Sequence, residues 1–249
     1  MSSLSALLLT LLVLICLVGG TAGLKSYLSI IINFLLIFFV ALLISWGANI
    51  WFTIVCFVPL KLLTIIYLGT HDTKIADRAF ISSLIVTGLI AIVILGLDYL
   101  AQAIGVGDQT GEDLIGMSTA PGLNYGAIGI LVALFSTLGA ISEAAVAMST
   151  GLIELKEQNK ELSQAAYWQS AQNIGQDILG TAINTILFSF FGSCLALFIW
   201  FTRLHYTLSQ IANDKLFVQE ALIIVDSIIG VLLIVPLATW VVNRGSKKN

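Results

Sequence analysis

From position 28 to position 69 the chain is apolar almost throughout, and the stretch SWGAN at 45–49 is its only clear break. A helix crosses the ~30 Å of hydrocarbon in a bilayer with about 20 residues, so a single helix of about forty would overshoot it roughly twofold. A tight hairpin between two spans is therefore expected at SWGAN. The rest of the chain repeats this pattern of apolar runs and short polar breaks. Seven spans are expected, at roughly 4–24, 28–45, 49–69, 79–101, 125–150, 180–202 and 218–242. Only 10% of the residues are charged and 58% are hydrophobic, whereas about one-quarter of a typical soluble domain is charged. The expected fold is all-α: a polytopic transmembrane helix bundle of about seven spans, forming one integral membrane domain over 1–249.

The first run has no Lys or Arg before it, and its apolar core is longer than the roughly 7 to 15 residues of a signal peptide. It is expected to remain as a span. Orientation follows from the bases in the connections. With the N-terminus outside, Lys25, Lys74, Arg78, Lys156, Lys160, Arg244, Lys247 and Lys248 fall inside, while Arg203 and Lys215 fall outside. That asymmetry predicts N-out and C-in. The connection 103–124 carries acids and no bases, as an outer loop would. The bases form no patch or tail, so no nucleic-acid partner is expected. Cys16, Cys56 and Cys194 sit in apolar runs without metal-ligand spacing and read as buried free thiols.

Within such a bundle the informative residues are the polar ones. Glu143 lies well inside the fifth span, where a carboxylate must be neutral, paired or wetted, and an ionisable group in a span is a functional candidate by default. Helical spacing puts Glu143, Ala147, Gly151 and Glu154 along one side. Ala140 with Ala144, and Ala147 with Gly151, make small-residue pairs that admit a close neighbour, which predicts tighter packing at Ala147 and Gly151 than at Met148. The facing element is expected to be Tyr167 to Thr185. Its Ser170, Asn173, Asp177, Thr181 and Asn184 recur at steps of 3, 4, 4 and 3, a polar stripe entering the sixth span near the inner boundary. A short connection makes the two helices antiparallel neighbours. Simple interhelical hydrogen bonding is the competing role for these residues. Lys61 in the third span either snorkels, the favoured reading, or acts as counter-ion to Glu143 or Asp177. Asp226 in the seventh span is a candidate extra acid.

No G-x-S-x-G, H-E-x-x-H, paired-aspartate G-x-G-D or Walker A motif is present, so neither catalysis nor a cofactor is expected. GAISEAAVAMSTGLIELKEQNKELS, followed by SAQNIGQDILGTAINTILFSFFG, resembles the YibE/F family of bacterial multi-span membrane proteins. The resemblance carries over to Glu143, Glu154, Asn173, Asp177, Thr181, Asn184 and Thr185. It implies a bacterial inner-membrane location and, because the chain resembles the short form of the family, a longer paralogous subunit as partner. A homo-oligomer is the alternative. The expected function is a permease or transporter subunit moving a small solute or ion through an acid-lined, inward-facing polar cleft. The alternative is a non-transporting membrane partner or scaffold subunit of a hetero-oligomer.

Overall fold

A computed structural model describes residues 3–70, 72–101, 124–159 and 163–245. The connection 103–124, apart from Asn124, lies outside the described residues, as do Lys160, Lys247 and Lys248. The described chain is helical, in the order α1 (Ser3–Ser45), α2 (Ile50–Gly69), α3 (Thr73–Ala101), α4 (Tyr125–Gln158), α5 (Gln164–Ser193), α6 (Leu195–Arg203), α7 (Leu208–Ala212) and α8 (Lys215–Gly245). Six helices are long and apolar enough to cross a membrane: Gly23–Ser45, Ile50–Gly69, Thr73–Ala101, Gly126–Gln158, Gln164–Ser193 and Lys215–Gly245. This chain is an integral membrane protein with an all-α bundle.

The first expected span forms only a 17-residue apolar helix, Ser5–Thr21. It is divided from the rest of α1 at Gly20, whose φ of 54° and ψ of −134° suit a residue without a Cβ. The two parts meet again: the Tyr27 hydroxyl donates to the Leu8 carbonyl at 3.4 Å. The expected break at 45–49 is a turn. Gly47 has a φ of 83°, and the Asn49 carboxamide caps α2 by accepting from the Trp51 and Phe52 amides.

The largest departure from the sequence reading is α5. The expected span 180–202 divides at Cys194, and the polar stripe thought to precede the span continues without interruption into Ser193. Asp177 therefore lies near the middle of a span-length helix instead of at its edge. Gly, Ala, Ser, Thr and Asn depress hydropathy without preventing helix formation, which moved the expected start downstream.

The core is formed by α3, α4 and α8. On α4, Leu138, Ile141, Ala145, Met148 and Leu152 are fully buried, at steps of 3, 4, 3 and 4 that make one continuous face. Gly230 of α8 lies directly against Ile141 and Ile90, where a Cβ would come within 2.8 Å of the Ile141 side chain. Here the small-residue expectation fails at Ala147, which is only half-buried while Met148 is in the core, and holds at Gly151, where a Cβ would come within 3.3 Å of Ile174. The deepest face of α4 is aliphatic, and the small residues flank it toward α5. α2 joins α3 through the Tyr67 hydroxyl, which donates to Asp77 at 2.5 Å.

α5 rests on α8 and α4 and is the least buried of the six long helices. One end of this trio is tied by polar contacts. The Lys156 ammonium of α4 donates to Asn243 Oδ1 of α8 at 3.1 Å and stands 4.5 Å from the centre of the Tyr167 ring of α5. The Tyr167 hydroxyl in turn donates to the Thr239 carbonyl of α8 at 3.0 Å. The opposite end is aromatic, with Phe190 of α5 and Phe217 of α8 at a ring separation of 6.0 Å and Phe198 beside both.

Candidate functional site

Close packing fixes where α5 stands. Gly151 of α4 faces Ile174, and Gly175 of α5 faces Val235 of α8, with a Cβ at Gly175 only 2.5 Å from Val235 Cγ1. One turn beyond these contacts the helices separate and leave a cavity of about 550 Å³, beginning at Ala147 and Ile178. α4 lines it with Glu143, Gly139 and Ser136, and α8 with Glu220 and Ser227. α5 contributes Thr181, Thr185, Ser189 and Ser193, hydroxyls at four-residue steps that keep to one side of the helix. Gly139, Ala140 and Ala147 leave room around the carboxylate.

The register that follows from the Gly151 and Gly175 contacts sets Glu143 level with Thr181 and Ser227. Glu220 lies level with Ser136 and Ser189, so the two backbone positions are offset along the cavity by about two helical turns, ~10 Å. Among the described residues, no group of three or more His, Cys, Asp or Glu side chains comes together to hold a metal.

The hydroxyls have a common arrangement. Thr181 donates to the Ile178 carbonyl at 3.0 Å, Thr185 to Thr181 at 3.0 Å, Ser193 to Phe190 at 3.0 Å and Ser227 to Ile223 at 2.7 Å. A hydroxyl has one proton and two lone pairs. With the proton committed to its own helix, each offers the cavity an acceptor. No Lys, Arg or His is among the lining residues. Two carboxylates and four such hydroxyls therefore make a lining dominated by acceptors.

Of the residues singled out from sequence, Glu143, Thr181 and Thr185 are brought together here. Asn173, Asp177 and Asn184 are exposed on the neighbouring face of α5, outside the cavity lining, and Glu154 is exposed farther along α4. Lys61 is buried beside Phe135 on the α2 side of α4, and among the described residues it pairs with neither Glu143 nor Asp177. Asp226 is buried one turn from Gly230, on the core side of α8, while Ser227 beside it reaches the cavity. Glu220 was missed because it stands close to the start of α8, where a carboxylate reads as interfacial. The missed hydroxyls Ser189 and Ser193 had a legible signal in their i, i+4 spacing from Thr181 and Thr185.

Searches of curated proteins and of solved structures returned no match. The family described as YibE/F-like protein has a model that matches residues 7–248, which include every helix that encloses the cavity. The chain belongs to the YibE/F-like family.

Proposed function

We propose that the chain is a permease subunit that passes a small cation, hydrated or carried as an organic ammonium, through the cavity between α4, α5 and α8. The supporting observation is the acceptor-rich lining: Glu143, Glu220 and the backbone-committed hydroxyls suit a solute that brings its own positive charge or protons. A volume of about 550 Å³ accommodates an ion with part of its water shell.

The test is flux into liposomes containing the purified chain, with alkali ions, Mg²⁺ and methylammonium compared against chloride. Cation flux should fall at least tenfold in Glu143→Gln and Glu220→Gln while thermal unfolding stays near that of the parent. Chloride flux as large as cation flux, or variants that match the parent, would refute the reading.

A second reading, that the chain acts within a hetero-oligomer, is favoured by the outer face of α5. Asn173, Asp177 and Asn184 are exposed along a helix of span length. A carboxylate left facing lipid at the helix centre costs about 2.5–3.5 kcal/mol on insertion scales, so another polypeptide covers this face, and a paralogous family member is the partner proposed. Cysteine at Asn184 should cross-link to that partner in native membranes, and Asn184→Leu should reduce its co-purification. Cross-links to lipid alone would exclude the assembly.

A further inference from the structure

Lys61 is a buried cation that the proposed permeation route does not use. It lies in the second half of α2 and is only 8% exposed. Its ammonium stands 4.4 Å from the centre of the Phe135 ring on α4, and among the described residues no carboxylate or hydrogen-bond acceptor reaches it. A cation–π contact offsets part of the cost of desolvating an ammonium, and an anion is needed to offset the remainder.

Lys61 also lines a second cavity, of about 570 Å³, between α1, α2 and α4. This cavity extends from Ile44 and Ile128, near the SWGAN turn, to Lys61 and Ser136 at its deeper end. Its walls are aliphatic, Ile37 and Leu131 among them, and Ser136 supplies its one hydroxyl. A long apolar chamber ending in one cation and one hydroxyl has the chemistry of a receptor for a single-chain amphiphile.

We propose that this cavity binds a fatty-acid-like carboxylate, with the head group on Lys61 and Ser136 and the chain lying between α1 and α4. The charge count selects the head group. One cation neutralises one carboxylate, whereas a diacyl phospholipid brings two chains that one cavity of this size does not hold. A phosphate monoester brings nearly two charges, and a single-chain phosphate diester brings a bulkier head group than one ammonium and one hydroxyl fit. The site shares Ser136 with the first cavity but uses neither Glu143 nor Glu220, and it stands whether or not that cavity conducts.

The test uses the purified full chain in detergent with a diazirine-bearing sixteen-carbon fatty acid, and separately with its methyl ester, which has the same chain and no charge. The acid should label peptides containing residues 37–44 and 128–136 at least tenfold more than the ester. Unlabelled fatty acid should displace it, and a lysophospholipid should not. Labelling should be lost in Lys61→Met and retained in Lys61→Arg. Equal labelling by acid and ester, or undiminished labelling of a folded Lys61→Met, overturns the proposal. The comparison of acid with ester needs no variant, so it decides the matter even if Lys61→Met fails to fold. If cysteine at position 61 cross-links in native membranes to another polypeptide, a partner's carboxylate fills the site and the proposal fails.

Discussion

Gly175→Ala tests the contact that positions the cavity wall. A Cβ there would lie 2.5 Å from Val235 Cγ1 and 3.2 Å from Cγ2. A β-branched valine in a helix has one strongly preferred χ1 rotamer and cannot swing both methyls clear. Either α5 moves off α8 or Val235 becomes strained, an overpacking cost of about 1–3 kcal/mol. Replacing glycine inside a helix returns roughly 0.5–1 kcal/mol, so a net loss of about 0.5–2 kcal/mol is expected. Gly180→Ala is the matched control, being on the same helix with nothing within 4 Å of its Cβ position; it should be neutral or stabilising. Val235→Ala alone should cost about 1–2 kcal/mol in lost packing. Combined with Gly175→Ala it removes the clash, so the double variant should be about 1–2 kcal/mol more stable than the sum of the singles. Reversible unfolding in mixed micelles measures all four variants. If alanine at 175 and at 180 behave alike, or if the double variant shows no favourable coupling, α5 does not rest on α8 as described.

Ala147→Leu should project into the cavity, leave stability within about 0.5 kcal/mol because the site is a surface of that cavity, and reduce cation flux. Met148→Ala should cost about 2–5 kcal/mol, since it empties a fully buried core position; unfolding curves that rank the two variants the other way would reverse the assignment of α4 faces. The excess of bases in one set of connections predicts sidedness. Single cysteines in 103–124 should react with an impermeant maleimide on intact cells, and a cysteine at Gln158 only after permeabilisation; the opposite pattern refutes the expected placing of the base-rich connections and the C-terminus inside.

The length of the apolar runs was enough to place α2, α3, α4 and α8, because a period of uninterrupted apolar residues matched to a bilayer has few other solutions. Asn49 and Gly47 marked the hairpin by their chemistry. α5 was less legible for a specific reason: two polar columns pass along it and share Thr181. One runs Asn173, Asp177, Thr181, Asn184, and the other runs Thr181, Thr185, Ser189, Ser193. Carboxamides and carboxylates are conspicuous in an apolar sequence and hydroxyls are not, so the first column was taken as the cavity face. The structure places the second there. The two columns differ by about 100° around the helix, and only packing against Gly151 and Val235 decides between them. Glu143 was legible because a carboxylate amid Ala and Gly has no bland explanation.

The contacts at the two ends of the α4–α5–α8 trio differ in kind, and this makes their mechanical behaviour unequal. Lys156, Asn243, Tyr167 and Thr239 form directional contacts that are lost within a small displacement, at a combined cost on the order of 3–5 kcal/mol. The Phe190, Phe198 and Phe217 contacts are non-directional, so the rings can slide while remaining buried. The helices are thus bound like the leaves of a book, with a stiff spine at Lys156 and a compliant fore-edge at Phe217. In the proposed permease, a cycle that exposes the cavity alternately to the two sides of the membrane would be limited at the Lys156 end, where the parted state is about a hundredfold or more rarer than the joined one. Lys156→Met should accordingly speed exchange of the cavity's contents in the flux assay, and an unchanged rate would put the pivot elsewhere.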